Sequence, residues 1–250
     1  ATPNAAINRE QLTAINRYLG ELGDLHEGGL GTYIGVTATP ARLDLNNTFL
    51  NNSLRWVFLE SHKNYKGRSF FFPISKEDHA KSDYQLVKLP DDGDDPRFLR
   101  HAVFRFLCRV ALLNLNDASD QTAYSMLIHT AGGIHAHETD QQDLEAILRR
   151  LSDRKSKNFA KYSQELLNIA STISEEYGKP FTGVEIATFV IRRIGSKEVL
   201  VINHKNHRGN VKKAGSPNAL FTFAIGGNIV SRGLTFENLL TFFFSRSVRG

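Results

Sequence analysis

Phe221–Arg246 reads FTFAIGGNIVSRGLTFENLLTFFFSR. A mainly apolar run, Leu220–Ile225, meets a Gly-Gly-Asn turn at Gly226–Asn228. A helix-length segment follows, and then a second apolar run, Leu239–Phe244. Short apolar runs joined by a glycine turn and one or two helical turns predict buried parallel strands of an α/β sheet. The polar residues collect in the connection: Asn228, Ser231, Arg232, Thr235 and Glu237. In a parallel sheet that loop leaves the carboxyl end of a strand, where such sheets bind ligands. Gly226, Gly227 and Gly233 let a backbone approach a phosphate, and Arg232 supplies charge. The alternatives are a glycine-rich corner with a surface arginine, or Arg232 paired with Glu237 in the same corner.

The same strand-and-helix pattern extends upstream. Ala123–Ile128 is a second buried strand, ending at His129–Gly133, and Glu198–Ile202 is a third, ending at Asn203–Lys205. Helical periodicity marks Asp140–Ser152, Lys155–Tyr177 and Glu185–Ile194. Strands alternating with helices predict a parallel sheet covered by helices. Pro96 opens a strong helix to Asn114, with Phe98, Leu99, Val103, Phe106, Leu107, Val110 and Leu113 as its apolar positions. Arg97, Arg100, Arg105 and Arg109 line its other sides, either tracking a phosphate backbone or forming a solvated face. Asn116–Gln121 is a polar linker and marks a domain boundary.

From Ala41 to Asp95 the pattern weakens. Trp56–Glu60 and Phe70–Ile74 read as short strands around a turn at Tyr65–Arg68, and Asp91–Asp95 as a solvated acidic loop. Nearer the amino end, Ala5–Leu25 is helical. The strand Thr32–Thr37 follows and is stopped by Ala38–Thr39–Pro40, which leaves the Thr37 and Thr39 hydroxyls near its carboxyl end.

The composition is that of an ordinary globular protein: 250 residues, 41% hydrophobic, 23% charged, with a net charge of +5. The positive balance permits an anionic partner without requiring one. One cysteine, Cys108, excludes an internal disulfide framework and a multi-cysteine zinc site, and fits a reducing cytoplasm. No apolar run reaches the roughly 18–20 residues that span a bilayer, so no membrane is expected. His129, His135 and His137 with Glu138 superficially resemble a metal site, but read more simply as a strand-end histidine and a polar loop entering the Asp140 helix. No metal is assigned there. His204–Lys213 is a basic loop, either facing nucleic acid or solvated. No separated Asp and Glu-x-Lys set suggests a nuclease, and no Ser or Cys has a base partner at motif-like spacing.

GVTATP (Gly35–Pro40), MLIHT (Met126–Thr130) and AIGGNIVSRGLTFENL (Ala224–Leu239) together resemble the Z-one domain family. That family carries an endonuclease designation and is related to superfamily II helicase-like ATPases. The resemblance implies a RecA-like parallel sheet flanked by helices, the helicase C-terminal type of P-loop NTPase domain, preceded by a partial first RecA-like domain. It divides the chain into the end of the first domain (1–45), a connecting region (46–120) and the second domain (121–250), with a helical insertion at about 138–178. Thr37–Ala38–Thr39 is similar to the helicase element that couples the nucleotide site to the second domain. Ser125–Thr130 is similar to that domain's opening strand, and Asn228–Thr235 to the motif that touches nucleic-acid phosphates and nucleotide. Tyr65 and Gly67 match a Tyr-x-Gly of the family.

By this resemblance, Gly226, Gly227, Asn228, Ser231, Arg232, Gly233 and Thr235 hold phosphate or nucleotide, with Arg232 the one candidate for a catalytic role. Thr37, Ala38 and Thr39 couple the domains, and His129, Thr130, Lys205 and Arg208 face nucleic acid, with DNA expected. Thr235 departs from the family pattern, in which many relatives carry Asp. The sequence contains no Gly-x-x-x-x-Gly-Lys-Ser/Thr loop and no acidic box. ATP and Mg2+ are therefore expected to bind mainly through segments outside this chain, which reads as a piece of a longer protein and is expected not to hydrolyse ATP alone. The implied setting is a bacterial restriction or defence system with partner subunits. A non-catalytic RecA-like scaffold and an endonuclease-associated domain are the alternatives.

Overall fold

The computed structural model describes residues 57–60, 62–67, 70, 84–90, 95–116, 120–129, 134–202, 207–227 and 235–244. Two compact units divide the chain, residues 1–85 and 86–250. In the first, Val57–Glu60 carry no strand pairing and Val57, Phe58 and Leu59 are exposed, so the strand expected there does not form among the described residues. A turn follows, closed by the Tyr65 N–H donating to the His62 carbonyl at 2.8 Å.

The second unit is an α/β fold. Its elements are α1 (Pro96–Asn114), β1 (Tyr124–His129), α2 (Ile134–Ser152), α3 (Phe159–Glu176), α4 (Gly183–Arg193), β2 (Lys197–Ile202), α5 (His207–Gly215), β3 (Phe221–Gly226) and β4 (Leu239–Phe244). The four strands form one sheet in the order β2-β3-β1-β4, every pairing parallel. The two runs that open the sequence reading are both parallel strands, but they are not neighbours. β1 inserts between β3 and β4, with Ile128 opposite Ile225 on one side and Phe243 on the other.

Alternation along β3 sends Phe221, Phe223 and Ile225 to one face and Thr222, Ala224 and Gly226 to the other. The first face meets α1 and α2, with α3 and α4 stacked behind α1. The second meets α5, where Leu127, Leu200, Ile202, Ala214 and Ala224 form a smaller cluster. The central strand β3 is buried at all six positions. Among the described residues β4 is an edge strand with β1 as its neighbour: Phe243 is buried, while Leu239, Phe242 and Phe244 are exposed, so the buried strand expected there is open on one face.

α1 occupies the range that its spacing predicts, and it is more deeply set than a one-faced helix. Phe104, Cys108 and Ala111 are buried as well as Val103, Phe106, Leu107 and Val110, because the sheet covers one side and α3 and α4 the other. Phe106 meets Phe223 edge-on at 5.2 Å between centroids, and Phe104 meets Tyr162 of α3 at 5.9 Å. Three of the arginines on α1 are engaged in ion pairs and do not form a plain solvated face. Arg97 pairs with the capping Asp95, Arg100 with Glu165 and Arg105 with Glu176.

Two further boundaries differ from the sequence reading. α2 begins at Ile134, so His135, His137 and Glu138 belong to its first turns instead of a loop. The basic stretch expected as a loop at His204–Lys213 is helical from His207. Its propensity is low, with Gly209 and Asn210 inside it, but packing of Val211 and Ala214 on the sheet's second face overrides that weakness.

Candidate functional site

The sheet's topology locates a crevice. β1 exits into α2, which joins the core on the first face. The return from β3 to β4 passes the second face, where Phe236 packs against the smaller cluster. Adjacent strands whose connections leave to opposite faces open a crevice beyond their carboxyl ends. That rule points to the carboxyl ends of β1 and β3, at His129 and at Gly226–Gly227, and all three of these residues are buried. Gly226 pairs with His129 across β1 and with Ile202 across β2. Three strand ends therefore meet around one glycine pair.

The structure brings some of the sequence-predicted residues to this rim and leaves others away from it. Gly226 and Gly227 are there. Asn228, Ser231, Arg232 and Gly233 lie outside the described residues, as do Thr130 and Lys205 and the Thr37–Ala38–Thr39 segment. Arg208 lies in the first turn of α5. His129 reaches the rim, but its ring is buried on the second face against Phe244 at 5.0 Å and Phe242 at 6.4 Å between centroids.

Thr235 is not brought to Gly226 and Gly227. Its carbonyl lies beside Gly215, at the carboxyl end of α5. The next residues enter β4 from the sheet's amino end: the Glu237 N–H donates to Gly215 O at 2.7 Å, and Ser125 N–H to Asn238 O at 3.0 Å. Glu237 there accepts a hydrogen bond from the Ser216 hydroxyl at 2.9 Å. β3 is six residues long, on the order of 20 Å at ~3.3 Å per residue, and that length separates this corner from the rim.

α2 supplies what the sequence reading weighed only as metal chemistry. Leu144, Ile147, Leu148 and Leu151 form its buried stripe, and His137 continues that stripe one turn beyond Asp140. His137 is 5% exposed, and neither ring nitrogen has a hydrogen-bond partner. No signal in a single sequence marks such a burial; only the start of α2 at Ile134 reveals it. Among the described residues no three His, Cys, Asp or Glu side chains gather to hold a metal ion.

Elsewhere the chemistry is structural. Cys108 is fully buried in α1, and burial pushes its thiol well above the ordinary thiol range, so it is no nucleophile. An open groove of about 330 Å³, lined by Glu145, Leu148, Arg149, Ser152, Lys197 and Val199, lies at the amino end of β2, away from the rim. Among the described residues no helix is long and apolar enough to cross a membrane.

The model of the Z1 domain matches residues 98–249, more than half of the chain. The chain belongs to the Z1 domain family. The Z1 match begins inside α1 and runs through β4, so it covers all four strands, the helices on both faces and Gly226–Gly227. The chain matches no curated protein and no solved structure.

Proposed function

We propose that the chain is part of a nucleic-acid-dependent ATPase of helicase type. The four-stranded sheet of its Z1 domain serves as a second RecA-like domain that contributes phosphate and nucleic-acid contacts. The observation that carries this reading is the sheet topology: α2, which follows β1, packs on one face, Phe236, which follows β3, packs on the other, and the buried pair Gly226–Gly227 ends β3 between them. Membership of the Z1 domain family, the parallel sheet and the net positive charge support it. Arg232, six residues beyond Gly226, is the side chain assigned to the phosphate, which a guanidinium can grip with two parallel hydrogen bonds. ATP and Mg2+ bind mainly through residues outside this chain, Thr37–Thr39 couple the two domains, and the strand engaged is DNA. Phosphate contacts of this kind are independent of sequence and weaken with salt. The setting proposed is a restriction or defence system with partner subunits.

ATP hydrolysis by the intact polypeptide, measured with and without DNA or RNA, tests the reading. Stimulation by nucleic acid, lost in Arg232→Ala, is the expected result. Unchanged turnover in that variant removes the role of Arg232, and no turnover under any condition removes the motor.

One observation favours a second reading, a non-catalytic RecA-like scaffold. This sequence contains neither the phosphate-loop lysine nor the acidic box that phosphoryl transfer uses to hold phosphate and metal. Binding of nucleic acid or a protein partner with no turnover by the intact polypeptide is the outcome that selects it.

A further inference from the structure

α2 starts at the rim. It follows β1 after four residues and runs back along the first face, packing over β2 and β3. Its amino end therefore stands above the carboxyl ends of those two strands, where Ile202, Gly226 and Gly227 lie. Side chains on a helix lean toward its amino end, so the His137 ring reaches from the stripe facing the sheet toward that same space. Two independent features converge there. The first is the end of a 19-residue helix, whose leading N–H groups have no partner within the helix and carry the positive end of its dipole. The second is an imidazole 95% removed from solvent with both nitrogens unpartnered. A buried polar side chain left without a hydrogen bond carries a desolvation cost of about 1–3 kcal/mol, and a ligand that accepts its N–H removes that cost. Asp140, the nearest carboxylate on the stripe, lies one turn on, away from the helix end, and has an interaction of its own.

We propose that His137 donates a ring N–H to an oxyanion, a phosphate, bound between the first turn of α2 and Gly226–Gly227. Donors at a helix end suit an anion, and the glycine pair gives its oxygens room. This inference rests on the phosphate-binding reading of the rim and adds to it a buried side-chain contact. The phosphate belongs either to a nucleotide or to a nucleic-acid backbone.

The test uses the whole chain with side-chain 15N-labelled histidine. Inorganic phosphate, ATP and a 12-nucleotide oligo-dT are titrated separately. The His137 ring resonances are expected to shift with phosphate and with whichever of ATP or oligo-dT is the source. His137→Leu, which fills the same space without a donor, should weaken that binding about ten- to a hundredfold. His137→Gln, which retains a donor, should restore most of it. Ring resonances unmoved by all three probes, or equal affinities for the parent and His137→Leu, overturn the proposal. Should His137→Leu fail to fold, the resonance shifts of the parent decide the matter alone. Loss of oligo-dT or ATP binding in Arg232→Ala but not in His137→Leu sinks this inference and spares the function proposed above. A phosphate response at His137 with no binding of ATP or oligo-dT does the reverse.

Discussion

Arg100 on α1 points its guanidinium Nε at both carboxylate oxygens of Glu165 on α3, at 3.0 and 3.1 Å. The same guanidinium lies over the Tyr162 ring, 5.4 Å from its centroid, and Arg150 approaches that ring from α2. With Arg105 and Glu176 farther along, this ion-pair ladder pins α3 along the helix that carries the sheet. The pair is partly exposed, so Glu165→Gln should cost roughly 0.5–1 kcal/mol. Arg100→Ala should cost more, about 1–2 kcal/mol, because the cover over Tyr162 goes too. Urea denaturation of both variants checks the order; equal losses would mean that the ring contact contributes nothing.

Gly183, the first residue of α4, touches the α3 backbone. A Cβ built there would stand 2.8 Å from both Cα and N of Ser171. Gly183→Ala should therefore destabilise by on the order of 1–3 kcal/mol, since backbone has to move. Adding Ser171→Gly should recover little, because the obstruction is main chain. Thermal melts of the single and double variants measure this, and full recovery in the double variant would refute it.

Asn114 ends α1 and clamps the approach to β1. Its amide nitrogen donates to the carbonyls of Val110 (2.9 Å) and Thr122 (3.1 Å), and its oxygen accepts the Thr122 N–H at 2.7 Å. Asn114→Ala removes all three hydrogen bonds, one buried and two part-buried, and should cost about 1–3 kcal/mol. Hydrogen exchange should show faster opening at Thr122 in the variant; an unchanged rate there would show that the clamp is dispensable.

Thr182 and Glu185 close a reciprocal cap on α4. The Thr182 backbone N–H and hydroxyl hold the Glu185 carboxyl below its ordinary value of 4.5. A carboxyl depressed on folding stabilises above its unfolded value, and that contribution is lost as pH falls through the folded one. Amide protection in the first turn of α4 should thus drop as pH falls below about 4.5. In Glu185→Gln the same turn should show no such step. A matching step in the variant would assign it to another group.

The strands and most helices were legible because their patterning is local. α1, β1, β2 and β4 fall within a residue or so of the periodic runs that predict them. α5 was missed because its own residues are poor helix formers, and the sheet face beneath it supplies the stability. The early start of α2 was missed because Gly132 and Gly133 and the polar run after them read as loop. The candidate site was legible only in part. Gly226–Gly227 declares a turn at a strand end, whereas nothing local separates Thr235 from that turn or marks His137 as buried.

Residue order alone determined that this chain builds parallel strands with helical crossovers, since apolar period and glycine turns act over a few residues. Strand neighbours, by contrast, are chosen by packing between distant segments. Only the tertiary structure set β1 between β3 and β4, opened one face of β4, sent Thr235 to the far end of the sheet and buried His137 on the inner stripe of α2.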